Sequence, residues 1–390
     1  MSRHGSQQRT LFGILESLRP HWRSEASLAG RIDTLISRDR RLGSRDRRLY
    51  RELVYTALRY LPWVEPLLDT DPDLAARRIA WLAADIPAVR PFREALAGEL
   101  PPCPPDADGK AAVLGTSVED LTPQWLGLEC PEALLAPLRD ALLCRAPLWL
   151  RLQTDHRDLV EAEFASLGWT LSRSPRLPRA LGLAAGTDVS RTRAYLDGKV
   201  EVQDIGSQLI LERVAPAEGG RWLDLCAGAG GKSLQLASLL GPGGRVTARD
   251  IRRAALDELA LRAARAGLGE RIAIGGSTPE GGFDGVLVDA PCSGSGTLRR
   301  SPHLRWATAA ADIARASGLQ GQLLAEGACL VRKGGTLVYA TCSLCRSENE
   351  EVAGRFLRQS PQFEPVISGL RIAPPDPDGD AFFLASFRRL

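Results

Sequence analysis

Trp222-Leu223-Asp224-Leu225-Cys226-Ala227-Gly228-Ala229-Gly230-Gly231-Lys232 is the stretch whose reading decides the fold. It starts as a short apolar strand, passes into a glycine loop, and runs into Ser233 to Leu240, which is spaced as a helix. Glycine lets the backbone turn tightly and approach a ligand closely. The loop is not a Walker loop, which demands a glycine further upstream where this sequence has none. The same alternation continues outward. Arg245 to Ala248 reads as a strand running up to Asp250, and a helix follows. Gly285 to Val288 is a strand ending at Asp289, Ala309 to Leu330 is a long helix, and Thr336 to Ala340 is another strand. Regular strand–helix alternation predicts a parallel sheet with helices on both faces. Ligands of such sheets lie at the carboxyl ends of the strands.

The residues just after each strand are therefore the candidates for chemistry. An acid at Asp250 can accept hydrogen bonds from both ribose hydroxyls of a nucleoside, although a capping aspartate reads the same way. Asp289-Ala290-Pro291-Cys292-Ser293-Gly294-Ser295-Gly296-Thr297 leaves the next strand end, and Ala340-Thr341-Cys342-Ser343 leaves a later one. A lone cysteine is usually a small buried apolar residue. Two of them, in polar settings at two crevice positions, point to chemistry. Beside a methyl donor a thiol has a specific use. Carbon 5 of cytosine is a poor nucleophile, and a thiolate adding at carbon 6 pushes electron density onto it. A base must then remove the carbon 5 proton so that the thiolate can leave. A carboxyl group such as Asp289 can assist at ring nitrogen 3.

These segments resemble the Fmu/Sun (RsmB-like, NOL/NOP) family of RNA cytosine-5 methyltransferases. Val202 to Gln208 is similar to the family's "VQD..SQ", and the glycine loop to its "DLCAAPGGKT". Asp289 to Arg300 resembles "DAPCSGTGTLRR", Arg305-Trp306 the following "RW", and Tyr339 to Val352 "YATCSL...ENE..V". The likeness covers nearly all of residues 200–390. It implies S-adenosyl-L-methionine as cofactor, held by Cys226, Ala227, Gly228, Ala229, Gly230, Gly231, Lys232, Asp250 and Asp289. It implies Cys342 as nucleophile, Cys292 as the residue that releases product, and Asp289 as a catalytic carboxylate. The DNA cytosine-5 enzymes use instead the cysteine of a Pro-Cys pair, and Pro291-Cys292 is such a pair. The sequence also departs from the family. Ala229 replaces a proline and His303 stands where aspartate is common. No acid follows the strand Arg271 to Ile274, where Gly275-Gly276-Ser277 stands; that acid contacts the adenine side of the cofactor in the family.

Upstream the pattern is helical, with apolar faces at Leu11, Ile14, Leu15 and Leu18, at Leu28, Ile32, Leu35 and Ile36, and through Asp46 to Leu68. Pro101 to Pro105, followed by Asp106 to Gly109, is read as a non-helical linker. Leu148 to Leu152 and Trp169 to Leu171 read as strands around a helix from His156 to Leu167. Leu53-Val54-Tyr55 with Leu58-Arg59 resembles a NusB-like domain, and Trp149 to Gln153 the family's "WLR.N". The fold class is α/β, in three parts. Residues 1–125 are a helical NusB-like RNA-binding domain, 126–205 a small α/β RNA-binding module, and 206–390 a Rossmann-like class I methyltransferase domain.

The net charge of +3 does not indicate nucleic acid, but Arg38, Arg40, Arg41, Arg45, Arg47, Arg48 and Arg51 crowd one stretch that could follow a phosphate backbone. The alternative is a solvated face, since arginine is plentiful and lysine is confined to Lys110, Lys199, Lys232 and Lys333. The resemblance adds Arg151, Arg299, Arg300 and Arg305 as RNA contacts. The expected partner is RNA, foremost small-subunit (16S) rRNA, with tRNA as an alternative substrate and an assembly factor with impaired catalysis as the rival reading. Eight dispersed cysteines and a polar Met1 to Thr10 lead to the expectation of a cytoplasmic monomer without disulfides, membrane span or metal.

Overall fold

A computed structural model describes residues 3–98, 100–275, 281–376 and 378–390. The chain divides into two compact units, one built from Met1–Cys144 with Leu298–Ala310, the other from Arg145–Thr297 with Ala311–Leu390.

The first unit is helical. Leu11, Leu15 and Leu18 of the helix Arg3–Leu18 join Leu28, Ile32 and Ile36 of the helix Leu28–Arg38 in one buried core. The long apolar pattern from Asp46 to Leu68 is two helices, Ser44–Arg59 and Leu61–Thr70. Pro62 explains the break. It has no N–H for the carbonyl of Leu58, four residues earlier. The Trp306 indole nitrogen takes up that carbonyl at 2.6 Å. The rest of the returning segment is held in the same manner. Arg305 Nη1 donates to the Leu121 carbonyl at 2.8 Å, Arg59 Nη2 to the Arg299 carbonyl at 2.9 Å, and a His303 ring nitrogen lies 2.9 Å from the Ala26 carbonyl. The supposed linker is helical in its second half. Asp106 caps the helix Ala107–Leu114 by accepting from the Gly109 amide at 2.7 Å. An N-cap aspartate after prolines starts a helix as readily as it fills a loop.

The second unit holds two sheets. Strands β1 (Leu148–Leu152), β2 (Ser172–Arg173), β3 (Ala180–Leu183) and β4 (Val200–Val202) form an antiparallel sheet in the order β2-β3-β1-β4. The helix Arg157–Ser166 packs Val160 and Phe164 against it. The strand expected at Trp169 to Leu171 falls at β2 instead, because the Trp169 ring packs on Phe164, tilted by 43° with centroids 5.4 Å apart.

The larger sheet is built from β5 (Arg221–Asp224), β6 (Arg245–Ala248), β7 (Ile272–Ile274), β8 (Phe283–Asp289), β9 (Val331–Thr341), β10 (Phe363–Ile372) and β11 (Phe382–Arg389). Their order is β10-β11-β9-β8-β5-β6-β7, parallel from β9 to β7, with β11 antiparallel to β9 and β10 antiparallel to β11. Side chains alternate between two cores. Val286, Val288, Leu337 and Tyr339 enter one, and Leu287, Val338 and Ala340 enter the other. That is why these strands read as continuous apolar runs. Among the described residues no helix is long and apolar enough to cross a membrane.

Replacing Trp306 with phenylalanine keeps an aromatic ring but leaves the Leu58 carbonyl without its donor. The variant should lose about 1–2 kcal/mol of stability, the cost of an unpaired partly buried polar group. Chemical unfolding followed by circular dichroism measures the loss.

Candidate active site

The site grows from four strand ends. At the end of β5 the chain enters the glycine loop, whose Gly228 and Gly230 have φ of +55° and +88°. A Cβ at Gly230 would lie 2.0 Å from Leu259 Cδ1, so only glycine fits that turn. The helix Gly231–Leu239 starts at once, which explains the abrupt change from strand to helix spacing.

Asp224, at the root of this loop, is buried. Its Oδ2 accepts from the Ser233 hydroxyl at 2.6 Å, while its Oδ1 is buried with no hydrogen-bond partner. Burial pushes its pKa up to about 7, with the Asp289 charge adding to the shift and Ser233 and Lys232 opposing it. Burial likewise raises the Cys226 thiol, and the carboxylates of Asp224, Asp289 and Asp250 push it further.

Beyond β6, Asp250 accepts from the Gly228 amide at 2.8 Å and from the Arg252 amide at 2.8 Å. The Arg252 guanidinium closes over the same carboxylate at 3.0 Å. Burial opposes ionisation of Asp250, but these donors win and hold its pKa below the ordinary value. Next to it lies a cavity of about 420 Å³ walled by Leu225, Asp250, Ile251, Gly275, Leu323 and Glu326. That size falls within the roughly 300–1,000 Å³ of small-molecule sites.

These residues suit a nucleoside that carries an ammonium group. Asp224 Oδ1 is an orphaned acceptor, Asp250 is an ionised acceptor beside the cavity, and the fully exposed Ile251 offers an apolar face. Ile251 and Glu326 escaped sequence reasoning. An isolated apolar residue directly after a strand-end acid was a usable signal for Ile251; Glu326, 76 positions after Asp250 on the long helix, carried none. Of the segment expected to lack an adenine-side acid, Gly275 lines the cavity, and Gly276 and Ser277 lie outside the described residues.

The ends of β8 and β9 carry the thiols. Asp289 stands opposite Ala340 in the parallel register, and the Ala290 amide donates to the Ala340 carbonyl at 2.9 Å. Cys292 Sγ lies 3.4 Å from Cys342 Sγ. The Gly296 amide donates to the Cys342 carbonyl at 2.9 Å, and a Cβ at Gly296 would sit 2.1 Å from the Ala381 carbonyl oxygen. The thiol–thiol contact, burial and nearby negative charge raise the Cys292 pKa well above its ordinary value. Lys232 Nζ pairs with Asp289 Oδ2 at 2.8 Å and lies 5.1 Å from the centre of the Phe382 ring. The structure thus brings together the glycine loop, Lys232, Asp250, Asp289, Cys292 and Cys342. Cys345, three residues after Cys342, is buried against Ser295 and Ser293, and burial pushes its thiol up to about 12.

The candidate RNA arginines divide. Arg38, Arg40, Arg41, Arg45, Arg48 and Arg300 are exposed and Arg47 is half-buried. Arg41 is engaged with Asp39. Arg151, Arg299 and Arg305 are buried, which corrects the expectation that they face RNA. Arg151 donates to Gln203 Oε1 at 2.8 Å, and its burial lowers its pKa to about 10. Gln203 in turn donates to Gln235 at 2.9 Å, so the "VQD..SQ" stretch is a buried polar joint within the second unit. Arg305 serves backbone carbonyls of the first unit, and so does Arg299, which donates to Cys144 at 3.4 Å.

A sheet of this strand order, with a glycine loop after β5 and an acid after β6, defines the class I methyltransferase fold. A model of the family described as 16S rRNA methyltransferase RsmB/F matches residues 211–388, and the chain belongs to that family. It is 32% identical over 303 residues to "Probable ribosomal RNA small subunit methyltransferase B" of Bacillus subtilis (strain 168), covering 70% of this chain and 67% of that protein. It is 34% identical over 282 residues to ribosomal RNA small subunit methyltransferase B of Klebsiella pneumoniae (strain 342), covering 68% and 65%. The chain thus spans about two thirds of the length of these curated relatives. The crystal structure of PH0851 superposes with a TM-score of 0.74 over 98% of this chain and 99% of that one, at 22% identity.

Asp224 predicts a pH dependence. In the unfolded chain an aspartate ionises near pH 4, about 3.9. In the folded protein Asp224 ionises near 7. Between those values the unfolded chain has lost a proton that the folded chain keeps, so this group's contribution to stability falls as pH rises from about 4 to about 7. Asp224→Asn should flatten that part of the pH–melting-temperature profile of the ligand-free protein.

Proposed function

We propose that this chain transfers a methyl group from S-adenosyl-L-methionine to carbon 5 of a cytosine in RNA, foremost small-subunit (16S) rRNA. The observation that carries the reading is the pair of thiols 3.4 Å apart at adjacent strand ends, in one sheet with the glycine loop and Asp250. A simple methyl transfer to nitrogen or oxygen has no use for two thiols. A transfer to carbon 5 needs one to activate the ring, and the other suits its release.

S-adenosyl-L-methionine would be held by the loop Cys226 to Lys232, with Asp250 at the ribose and Asp224 Oδ1 at the amino group. It supplies an electrophilic sulfonium methyl. The Cys342 thiolate adds to carbon 6 of the flipped-out cytosine, forming a carbon–sulfur bond and moving the carbon 5–carbon 6 π electrons towards carbon 5. Asp289, paired with Lys232, would accept a hydrogen bond from the proton that ring nitrogen 3 takes up as the ring gains electron density. After carbon 5 is methylated its proton is removed, the π bond re-forms, and Cys342 leaves as thiolate. Cys292 suits that last stage: as a thiolate it can take up the carbon 5 proton, and surroundings that raise its pKa make that thiolate a stronger base.

We read residues 1–125 as a NusB-like RNA-binding domain, 126–205 as a small RNA-binding module and 206–390 as the catalytic domain of a cytoplasmic monomer. The exposed arginines support RNA contact in the first of these. Arg45, Arg47 and Arg48 occupy the start of the helix Ser44–Arg59, where a cation opposes the helix dipole. A phosphate laid across them would relieve that repulsion.

Cys342→Ser should abolish methylation and leave RNA binding intact, because a hydroxyl is a far weaker nucleophile than a thiolate. Cys292→Ala should methylate once and retain a covalent RNA adduct, seen as a retarded band on a denaturing gel. An adduct that accumulates in Cys342→Ala instead would assign attack to the Pro-Cys thiol.

Asp250→Ala should weaken S-adenosyl-L-methionine binding by about 1–3 kcal/mol in calorimetry. Bisulfite sequencing of RNA from a deletion strain would identify the target base.

A further inference from the structure

A buried carboxylate lies between the two thiol loops. Glu348 closes the short turn Arg346–Glu348 that follows β9 and is fully buried. Its Oε1 accepts from the Ser293 amide at 2.8 Å and from Gln320 Nε2 at 3.1 Å. Its Oε2 accepts from the Ser293 and Ser343 hydroxyls, each at 2.5 Å. Its backbone carbonyl accepts from the Tyr339 hydroxyl, also at 2.5 Å. Ser293 follows Cys292 and Ser343 follows Cys342, so one side chain grips the residue after each thiol, on loops 50 positions apart.

A buried carboxylate is costly unless donors surround it. Here two N–H donors meet one oxygen and two hydroxyls meet the other, so a carboxylate accepts from all four. Neither oxygen touches a sulfur, so the group acts on the thiols through their neighbours. Its charge also contributes to the raised pKa of Cys292, after the thiol contact and burial.

We infer that Glu348 is a positioning residue, which fixes the spacing of Cys292 and Cys342 by holding Ser293 and Ser343 on one carboxylate. The inference rests on the reading that both thiols serve one methyl transfer. It deepens that reading by naming what keeps attack and release at one substrate atom. A displacement of about 1 Å at a reacting group costs on the order of 100-fold in rate.

The test uses the full chain as Glu348→Ala, as Glu348→Gln, and as the double variant Ser293→Ala with Ser343→Ala. The first readout needs no RNA. Diamide couples two nearby thiols: each gives up a proton and an electron, a sulfur–sulfur bond forms, and the azo group becomes a hydrazine. Peptide mass spectrometry follows the Cys292–Cys342 cross-link. The second readout is kcat and KM for RNA, and the third is cofactor affinity by calorimetry. In Glu348→Ala and in the double variant, cross-linking should slow at least about tenfold and kcat fall about 100-fold, with KM and cofactor affinity within about threefold. Glu348→Gln, which keeps the shape and one acceptor, should recover part of both. Wild-type cross-linking and kcat in both variants would overturn the proposal, as would a loss of kcat matched by an equal loss of cofactor affinity. If Glu348→Ala does not fold, the double variant, which removes only two hydroxyls, decides alone. A wild-type protein that cross-links quickly yet methylates no RNA overturns the catalytic reading, and the cross-linking rates then decide whether Glu348 sets the spacing.

Discussion

The parallel register of β8 against β9 is the constraint on which the site depends. With Asp289 opposite Ala340, three residues of chain on one strand and two on the other bring the sulfurs to 3.4 Å. A slip of one residue would turn every side chain of a strand to the opposite face. Val286, Val288, Leu337 and Tyr339 would then exchange cores with Leu287, Val338 and Ala340, so the packing of both faces holds the register. The carbonyl of Cys342 is tied to the Gly296 amide, and the Gly296 carbonyl accepts from the Ala381 amide, so the thiol loops are stitched to the start of β11 as well.

Around that fixed distance the polar groups sort by what surrounds them. Asp224 is buried with one oxygen unpaired and is pushed towards the neutral form. Asp250, met by two backbone amides and Arg252, is held ionised. These two carboxyl groups flank one loop and are prepared for different partners: an uncommitted acceptor beneath it, and a charge beside the cavity. Asp289 differs again, since Lys232 orients it without burying it.

Much of this was legible because it is local in sequence. β6 matches its expected bounds, and β8 and β9 differ only by extension, since a strand covered on both faces reads as an uninterrupted apolar run. The thiols were legible because polar glycine- and serine-rich segments follow strand ends. What escaped depends on contacts distant in sequence. Glu348 acquires meaning only when Ser293, 55 positions away, folds onto it. Arg299 and Arg305 read as surface cations, yet backbone carbonyls of the helical unit absorb them. Trp169 alternates with Leu171 as a strand would, and packs instead on the preceding helix. Asp106 was hidden by the prolines before it, although its spacing from Gly109 is that of a cap.

The helical unit is discontinuous in the chain, being completed by Leu298–Ala310. A ribosome delivers residues in order, so that unit waits for its last wall. Until Trp306 has been synthesised, the carbonyl freed by Pro62 has no indole to meet it, and the Leu121 carbonyl lacks Arg305. By then β5 to β8 have already been synthesised. Maturation of the amino-terminal part is therefore tied to the synthesis of the segment beyond the first thiol, and no amino-terminal fragment ending before residue 298 carries the full set of its own internal bonds.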